Sequence, residues 1–271
     1  MRLREFEIDV LGIPARCWEG GHGFPLLLLH GSGAGAASLG TWAHVFEALT
    51  ARYHVYASDL IGFGRSGRKT QAPFFDMALW EAQLDALLAV VPEEEVGVVG
   101  HSLSGALALR LAARERRITR VITTATMGWS FAETPHTQRC WTFPETRDDL
   151  RKTMEALTFD HAGITESLLD DRMSLLHDGV YGPYFRAMFH GDKQRYIDEA
   201  AVPIADLARI ACPVLMIHGR NDLLFPAEGT TLPLSAHLPR ATVLLLPGCG
   251  HLPALEHPGI LSDQIISFLS R

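Results

Sequence analysis

Six short, mostly apolar runs, each cut off at its C-terminal end by a small or polar residue, do most to limit what this chain can fold into. Leu26 to Leu29 stops at His30-Gly31, His54 to Ser58 at Asp59, and Val96 to Val99 at Gly100. Val121 to Thr124, Val214 to Ile217 and Thr242 to Leu246 repeat the pattern. Runs this short and this apolar suit strands buried on both faces, as in a parallel sheet covered by helices. Helical patterns lie between them. Met77 to Val91 carries Leu79, Leu84, Leu87 and Leu88 at roughly helical spacing and is ended by Pro92. Leu103 to Ala113 is rich in Ala and Leu, and Ile260 to Leu269 reads as a closing amphipathic helix. The alternation predicts an α/β fold, a mostly parallel central sheet flanked by helices and built from right-handed crossovers.

The rhythm breaks between about Thr126 and Leu207. This stretch reads as several short helices rich in aromatics, among them Trp129, Trp141, Phe143, Tyr184 and Phe189. An insertion this long is usually a subdomain or functional. Most of its aromatics are expected to pack its own core, with some facing a substrate and favouring an apolar or aromatic tail. The expected organisation is a core of residues 1–125 and 208–271, with a helical cap of residues 126–207 inserted after the sixth strand.

The chain's 271 residues suffice for one large domain with a sizeable core. Its formal net charge of -7 and the absence of a basic run interleaved with aromatics argue against a nucleic-acid partner. The four cysteines form no CxxC pair, as expected of reduced thiols in a cytoplasmic protein. The N-terminal stretch alternates like a strand and has no signal-peptide core. No apolar stretch approaches the roughly 20 residues that span a bilayer, so no membrane is expected. The 13 histidines show no HExxH and no clustered ligand spacing, so no metal and no cofactor are expected.

The chemistry-bearing residues sit at strand ends. Gly100-His101-Ser102-Leu103-Ser104-Gly105 follows an apolar strand and opens an Ala-rich helix, the setting of a nucleophile elbow. The usual pattern is G-x-S-x-G, and here Ser104 takes the place of the last glycine, which comes one residue later. Alone, the motif fits equally a helix start with Ser102 as its N-cap. A serine needs a base to become nucleophilic. Asp222 follows the fifth apolar run and His251 the sixth, giving the order Ser, acid, His, each at the C-terminal edge of a sheet. The glycine-rich His30-Gly31-Ser32-Gly33-Ala34-Gly35 can aim a backbone N–H of Ser32 or Gly33 at an oxyanion, beside that of Leu103. A phosphate loop is disfavoured because no Gly-Lys-Ser/Thr follows. His30 and Asp59 are expected to brace loops.

These motifs resemble the α/β-hydrolase fold over nearly the whole chain. A narrower resemblance is to the meta-cleavage product hydrolases, such as 2-hydroxymuconate semialdehyde hydrolase, which split carbon–carbon bonds in ring-opened aromatic catabolites. It rests on His30-Gly-Ser-Gly-Ala-Gly-Ala, Leu60-Ile-Gly-Phe-Gly-Arg-Ser, Ile164-Thr-Glu-Ser-Leu-Leu-Asp-Asp-Arg172, His218-Gly-Arg-Asn-Asp222 and Gly248-Cys-Gly-His251. The resemblance implies that Arg172 meets the carboxylate of an oxo-dienoate. The alternative is an arginine salt-bridged to its neighbours Asp170 and Asp171. It also implies substrate contacts at His101, Thr41 and Leu252, where the family usually has asparagine, asparagine and an aromatic. His101 can replace an asparagine by donating from its ring, or be a structural flank. Trp141 is a further candidate contact.

The expected activity is a Ser102-, His251- and Asp222-dependent hydrolysis of a small carbonyl compound, favoured as carbon–carbon cleavage. The alternatives are a carboxylesterase or lactonase with the same triad, and a ligand-binding protein on the same fold. Dehalogenase and epoxide hydrolase chemistry needs an aspartate where Ser102 stands. The resemblance also makes a homo-oligomer possible.

Overall fold

The computed structural model describes residues 3–270. An eight-stranded sheet runs through the centre in the order β1-β2-β4-β3-β5-β6-β7-β8. The strands are β1 (Arg4–Val10), β2 (Ile13–Gly20), β3 (Pro25–Leu29), β4 (His54–Ser58), β5 (Val96–His101), β6 (Ile118–Thr124), β7 (Val214–Gly219) and β8 (Ala241–Leu246). β1 and β2 form an antiparallel hairpin that pairs antiparallel with β4, and every other pairing is parallel. The hairpin turns at Leu11-Gly12, where both residues have positive φ, 55° and 83°. That is the twist a two-residue hairpin loop needs. β2 carries Pro14, Arg16 and Glu19 on a half-covered strand, so it lacks the apolar run that marks the others.

The six apolar runs are β3 to β8. Alternate side chains of the inner strands enter two separate cores. Leu27, Leu29, Val98, Val121 and Met216 join one, with Leu84 and Leu87 of the helix Met77–Ala89 and Leu107 and Leu111 of the helix Leu103–Arg114. Leu26, Leu28, Val99, Ile122 and Ile217 join the other, with Leu261 and Ile265 of the helix Pro258–Leu269. Burial on both faces is why these strands read as unbroken apolar runs.

Between β6 and β7 the chain forms only helices: Pro135–Cys140, Arg147–Leu157, Glu166–Leu176, Tyr181–Met188, Gln194–Ala200 and Ile204–Leu207. Thr134 and Thr146 open the first two with reciprocal capping boxes. Most aromatics of the stretch pack on one another. Trp141 stacks on Phe189 at 5.4 Å, and Phe189 meets Tyr196 edge-on at 5.2 Å. Phe159 instead stays 55% exposed. None of the described helices is long and apolar enough to cross a membrane.

Candidate active site

Ser102 begins the site with an unusual backbone. It stands at the N-cap position of the helix Leu103–Arg114 with φ 56° and ψ -120°, yet its side chain caps nothing. A left-handed conformation costs a residue with a Cβ about 1–3 kcal/mol, so the surroundings must hold it. Its N–H donates to Thr124 O at 2.9 Å, and its carbonyl accepts from Gly105 N at 2.9 Å and Met127 N at 3.0 Å. The hydroxyl projects instead to His251, 3.1 Å from Nε2. The tight approaches lie at Gly100 and Gly105. A Cβ at Gly100 would come 2.1 Å from Ser104 O, and one at Gly105 would come 2.0 Å from Thr126 Oγ1. Ser104 has room for its side chain, and its hydroxyl donates to His30 O at 2.5 Å. The departure from G-x-S-x-G therefore falls where no glycine is needed.

Asp222 follows β7 and is buried. Its Oδ1 accepts from Leu224 N at 2.8 Å and Phe225 N at 3.0 Å. Its Oδ2 lies 2.7 Å from His251 Nδ1 and 3.1 Å from His218 Nε2. Burial opposes the carboxylate charge, but the two histidines outweigh it and hold the carboxyl well below its usual range. Facing a carboxylate, His251 Nδ1 carries the proton, which leaves the Nε2 lone pair for the Ser102 hydroxyl. His218 was not anticipated from sequence. Its Nε2 also meets Phe225 O at 2.8 Å, an oxygen that only accepts, so Nε2 is the donor and Nδ1 accepts from the Thr231 hydroxyl at 2.6 Å. The signal for it was the four-residue spacing to Asp222 across a strand end.

Glu256 was also missed. Its Oε1 accepts from Gly250 N at 2.9 Å, and its Oε2 accepts from Phe159 N at 2.6 Å and Asp160 N at 3.2 Å. His251 N donates to Leu157 O at 2.7 Å. A Cβ at Gly250 would come 2.8 Å from that same oxygen. The loop carrying His251 is thus bonded to the end of the helix Arg147–Leu157. A lone glutamate on a short turn gives no sequence sign of such a role.

The fold brings most of the anticipated residues to one place. A narrow cavity of about 30 Å³ is lined by Ser102, His251, Ser32 and Gly33, and by Thr41, His101, Arg172 and Leu252. It adjoins a cavity of about 240 Å³ that shares Thr41, His101, Arg172 and Leu252 and adds His44, Met154 and Leu168. The N–H of Leu103 lies in the first turn of its helix, where no intrahelical acceptor exists. Arg172 donates from Nη1 to Ala34 O at 2.9 Å and has no carboxylate within ion-pair reach among the described residues. Asp170 pairs with Arg147 instead. Trp141 lines neither cavity. It is buried and donates to Ser32 Oγ at 3.2 Å, behind the glycine-rich loop.

His30 and Asp59 brace loops, as expected. His30 Nε2 accepts from Leu60 N at 2.9 Å, and Asp59 accepts from Ser38 N at 2.7 Å and Arg65 N at 2.8 Å. The four cysteines are unpaired. No group of three or more candidate ligands that could hold a metal ion occurs among the described residues.

Comparison with known proteins agrees with this geometry. The chain is 29% identical over 265 residues to a 2-hydroxymuconate semialdehyde hydrolase of Pseudomonas sp. (strain CF600), covering 97% of this chain and 93% of that protein. It is 32% identical over 263 residues to a pimeloyl-[acyl-carrier protein] methyl ester esterase of Nitrosomonas europaea, covering 91% and 94%. A crystal structure of a meta-cleavage product hydrolase from Pseudomonas fluorescens IP01 superposes with a TM-score of 0.92 at 25% identity, over 98% of this chain and 97% of that one. A profile described as the alpha/beta hydrolase family matches residues 26–264. With that match over most of its length, the chain belongs to the alpha/beta hydrolase family.

Proposed function

We propose that this protein is a serine-dependent hydrolase that cleaves a carbon–carbon bond in a 2-hydroxy-6-oxohexa-2,4-dienoate. Ser102 is the nucleophile, His251 its base, and Asp222 the group that fixes the His251 tautomer and stabilises the imidazolium. His251 Nε2 takes the hydroxyl proton as Ser102 Oγ attacks the C6 carbonyl of the ketonised substrate. The N–H groups of Leu103 and of Ser32 or Gly33 hold the oxyanion. Collapse breaks the C5–C6 bond, C5 receives the proton from His251, and water then releases the acyl group from Ser102. The helices of residues 126–207 act as a cap over this site.

The observation that carries the substrate class is Arg172. It is a guanidinium without an acidic partner in reach, lining the same cavity as Ser102 and His251. Burial lowers its pKa, because the surroundings withhold solvent from the charge. A substrate carboxylate supplies a counter-ion in fork geometry. The small space beside Ser102 argues for a short tail on C6. At about 30 Å³ it has room for only a few water molecules. The cap aromatics fill one another's space rather than lining a tail pocket, which turns the composition-based preference for an aromatic tail into one for hydrogen or methyl. Four free cysteines suit a reducing compartment such as the cytoplasm.

The test is to mix the protein with coloured dienoates bearing hydrogen, methyl or phenyl at C6 and follow loss of the chromophore, with Ser102→Ala as control. Fast bleaching of the short-tailed compounds by the parent alone is expected. Identity to an esterase at 32% favours one rival, carboxylester hydrolysis by the same triad. Turnover of simple methyl esters with no bleaching would decide for it.

A further inference from the structure

His101, the last residue of β5, precedes the nucleophile and is buried. Its Nδ1 lies 3.1 Å from Thr124 O and 3.1 Å from Thr124 Oγ1. A hydroxyl oxygen donates or accepts, but a carbonyl oxygen only accepts. One tautomer satisfies both contacts, the one with hydrogen on Nδ1. Thr124 O also takes the Ser102 N–H at 2.9 Å, so its two lone pairs serve the two consecutive residues of the elbow.

Two influences keep this ring neutral. Burial depresses its pKa well below the ordinary histidine value, and the neighbouring His251, with ring centroids 4.9 Å apart, acts in the same direction. A neutral imidazole protonated at Nδ1 has a bare lone pair on Nε2. Nε2 has no protein partner among the described residues, and the ring lines both cavities alongside Arg172 and Thr41. The donor role open to this histidine on sequence grounds is therefore already taken up by Thr124.

We propose that His101 is a specificity-determining residue whose Nε2 accepts a hydrogen bond from a substrate hydroxyl lying beside the carboxylate held by Arg172. An asparagine at this place would offer both a donor and an acceptor. The histidine offers an acceptor only. With Arg172 it forms a pair of opposite polarity, one donor fork and one acceptor, which matches a carboxylate with a hydroxyl on the adjacent carbon. The site then selects the 2-hydroxy form of its ligand over carboxylates that cannot donate there. This rests on the carboxylate-binding reading of the site proposed above.

The test uses Ser102→Ala protein, which binds without turnover, and two ligands: 2-hydroxy-6-oxohepta-2,4-dienoate and its 2-methoxy ether. The ether keeps an acceptor and loses the donor. Affinities are measured by calorimetry with His101 present and with His101→Phe or His101→Leu added. The hydroxy-over-methoxy preference should fall about tenfold when His101 is replaced, the size of one hydrogen bond. His101→Asn, which retains an acceptor, should keep most of it. Phe and Leu differ in size, so a steric cost of the methyl group would move the two variants by different amounts, whereas loss of the acceptor moves both alike. An equal preference with and without His101 overturns the proposal, even if the parent bleaches the dienoate. Failure of the Ser102→Ala protein to bind either ligand overturns the underlying carboxylate reading instead.

Discussion

Asp222 fixes the His251 ring through a single oxygen, Oδ2, at 2.7 Å from Nδ1. The same oxygen meets His218 Nε2 at 3.1 Å, while Oδ1 takes two backbone N–H groups. Every lone pair that the carboxylate has to give is thus directed. Asp222→Asn puts an amide where two histidine donors need an acceptor. It frees the His251 tautomer and should lower kcat by about 10⁴-fold with the fold retained. His218→Asn leaves His251 its partner and should cost far less. Burst kinetics with an activated ester would measure both, and equal losses would show that the two histidines act as one unit.

Ser104 occupies the position where the elbow motif usually has glycine, and its hydroxyl donates to His30 O at 2.5 Å. Ser104→Gly matches the motif better but strips that buried carbonyl of its donor and adds backbone freedom to a helix. It should destabilise the protein by about 1–3 kcal/mol and leave kcat nearly unchanged. Gly105→Val is the opposite case. Its Cβ would meet Thr126 at 2.0 Å, so little folded protein is expected. Denaturant titration of both variants checks the pair. A stable Gly105→Val protein would mean that the close approach lies elsewhere.

The sheet was legible because β3, β4, β5 and β7 are buried along nearly their whole length, and β6 and β8 still carry apolar runs, Val121-Ile122 and Val243 to Leu246, although β8 is only partly covered. β2 was not, because a half-covered strand with a proline and charges looks like a loop until its partner is known. The triad was legible for a related reason. Its three residues follow strands, and the fold puts those strand ends on one edge. His218 and Glu256 were not legible, since each works through a hydrogen-bond partner fixed only in three dimensions. Trp141 reads as a substrate contact from composition alone. It proves to be a brace behind Ser32, because neighbouring aromatics fill the space in front of it.

Stability should fall on mild acidification. His30 and His101 both have depressed pKa values, caused first by burial. Below the unfolded histidine value of about 6.5, the unfolded chain binds protons that the folded one refuses. The free energy of unfolding therefore drops as pH falls from about 6.5, by up to ~1.4 kcal/mol per pH unit for each histidine, and is insensitive to them above it. Asp222 adds a second loss as pH falls below the ordinary carboxylate range, because its folded pKa is also depressed. Chemical denaturation at several pH values between about 5 and 7 measures the slope. His101→Phe should make it shallower, and an unchanged slope would remove His101 from this account.

Glu256 joins the His251 loop to the helix Arg147–Leu157 by accepting from Gly250 N on one side and Phe159 N on the other. The main chain of His251 is bonded to Leu157 O as well. Displacing this helix end would therefore displace the base. Glu256→Gln offers an amino group to backbone donors at one end of the bridge, and Glu256→Ala offers nothing. Each N–H left without an acceptor costs about 1–3 kcal/mol if it stays buried, so the local structure should open instead. The expected result is a loss in kcat of ten- to a hundredfold, equivalent to about 1.4–2.7 kcal/mol, with KM for a small ester nearly unchanged. Amide exchange should rise together in residues 157–160 and 249–252 and stay constant in the inner strands. A merely structural glutamate would lower thermal stability without this split between kcat and KM. Faster exchange at 157–160 with kcat intact would show that the helix end and the catalytic histidine move independently.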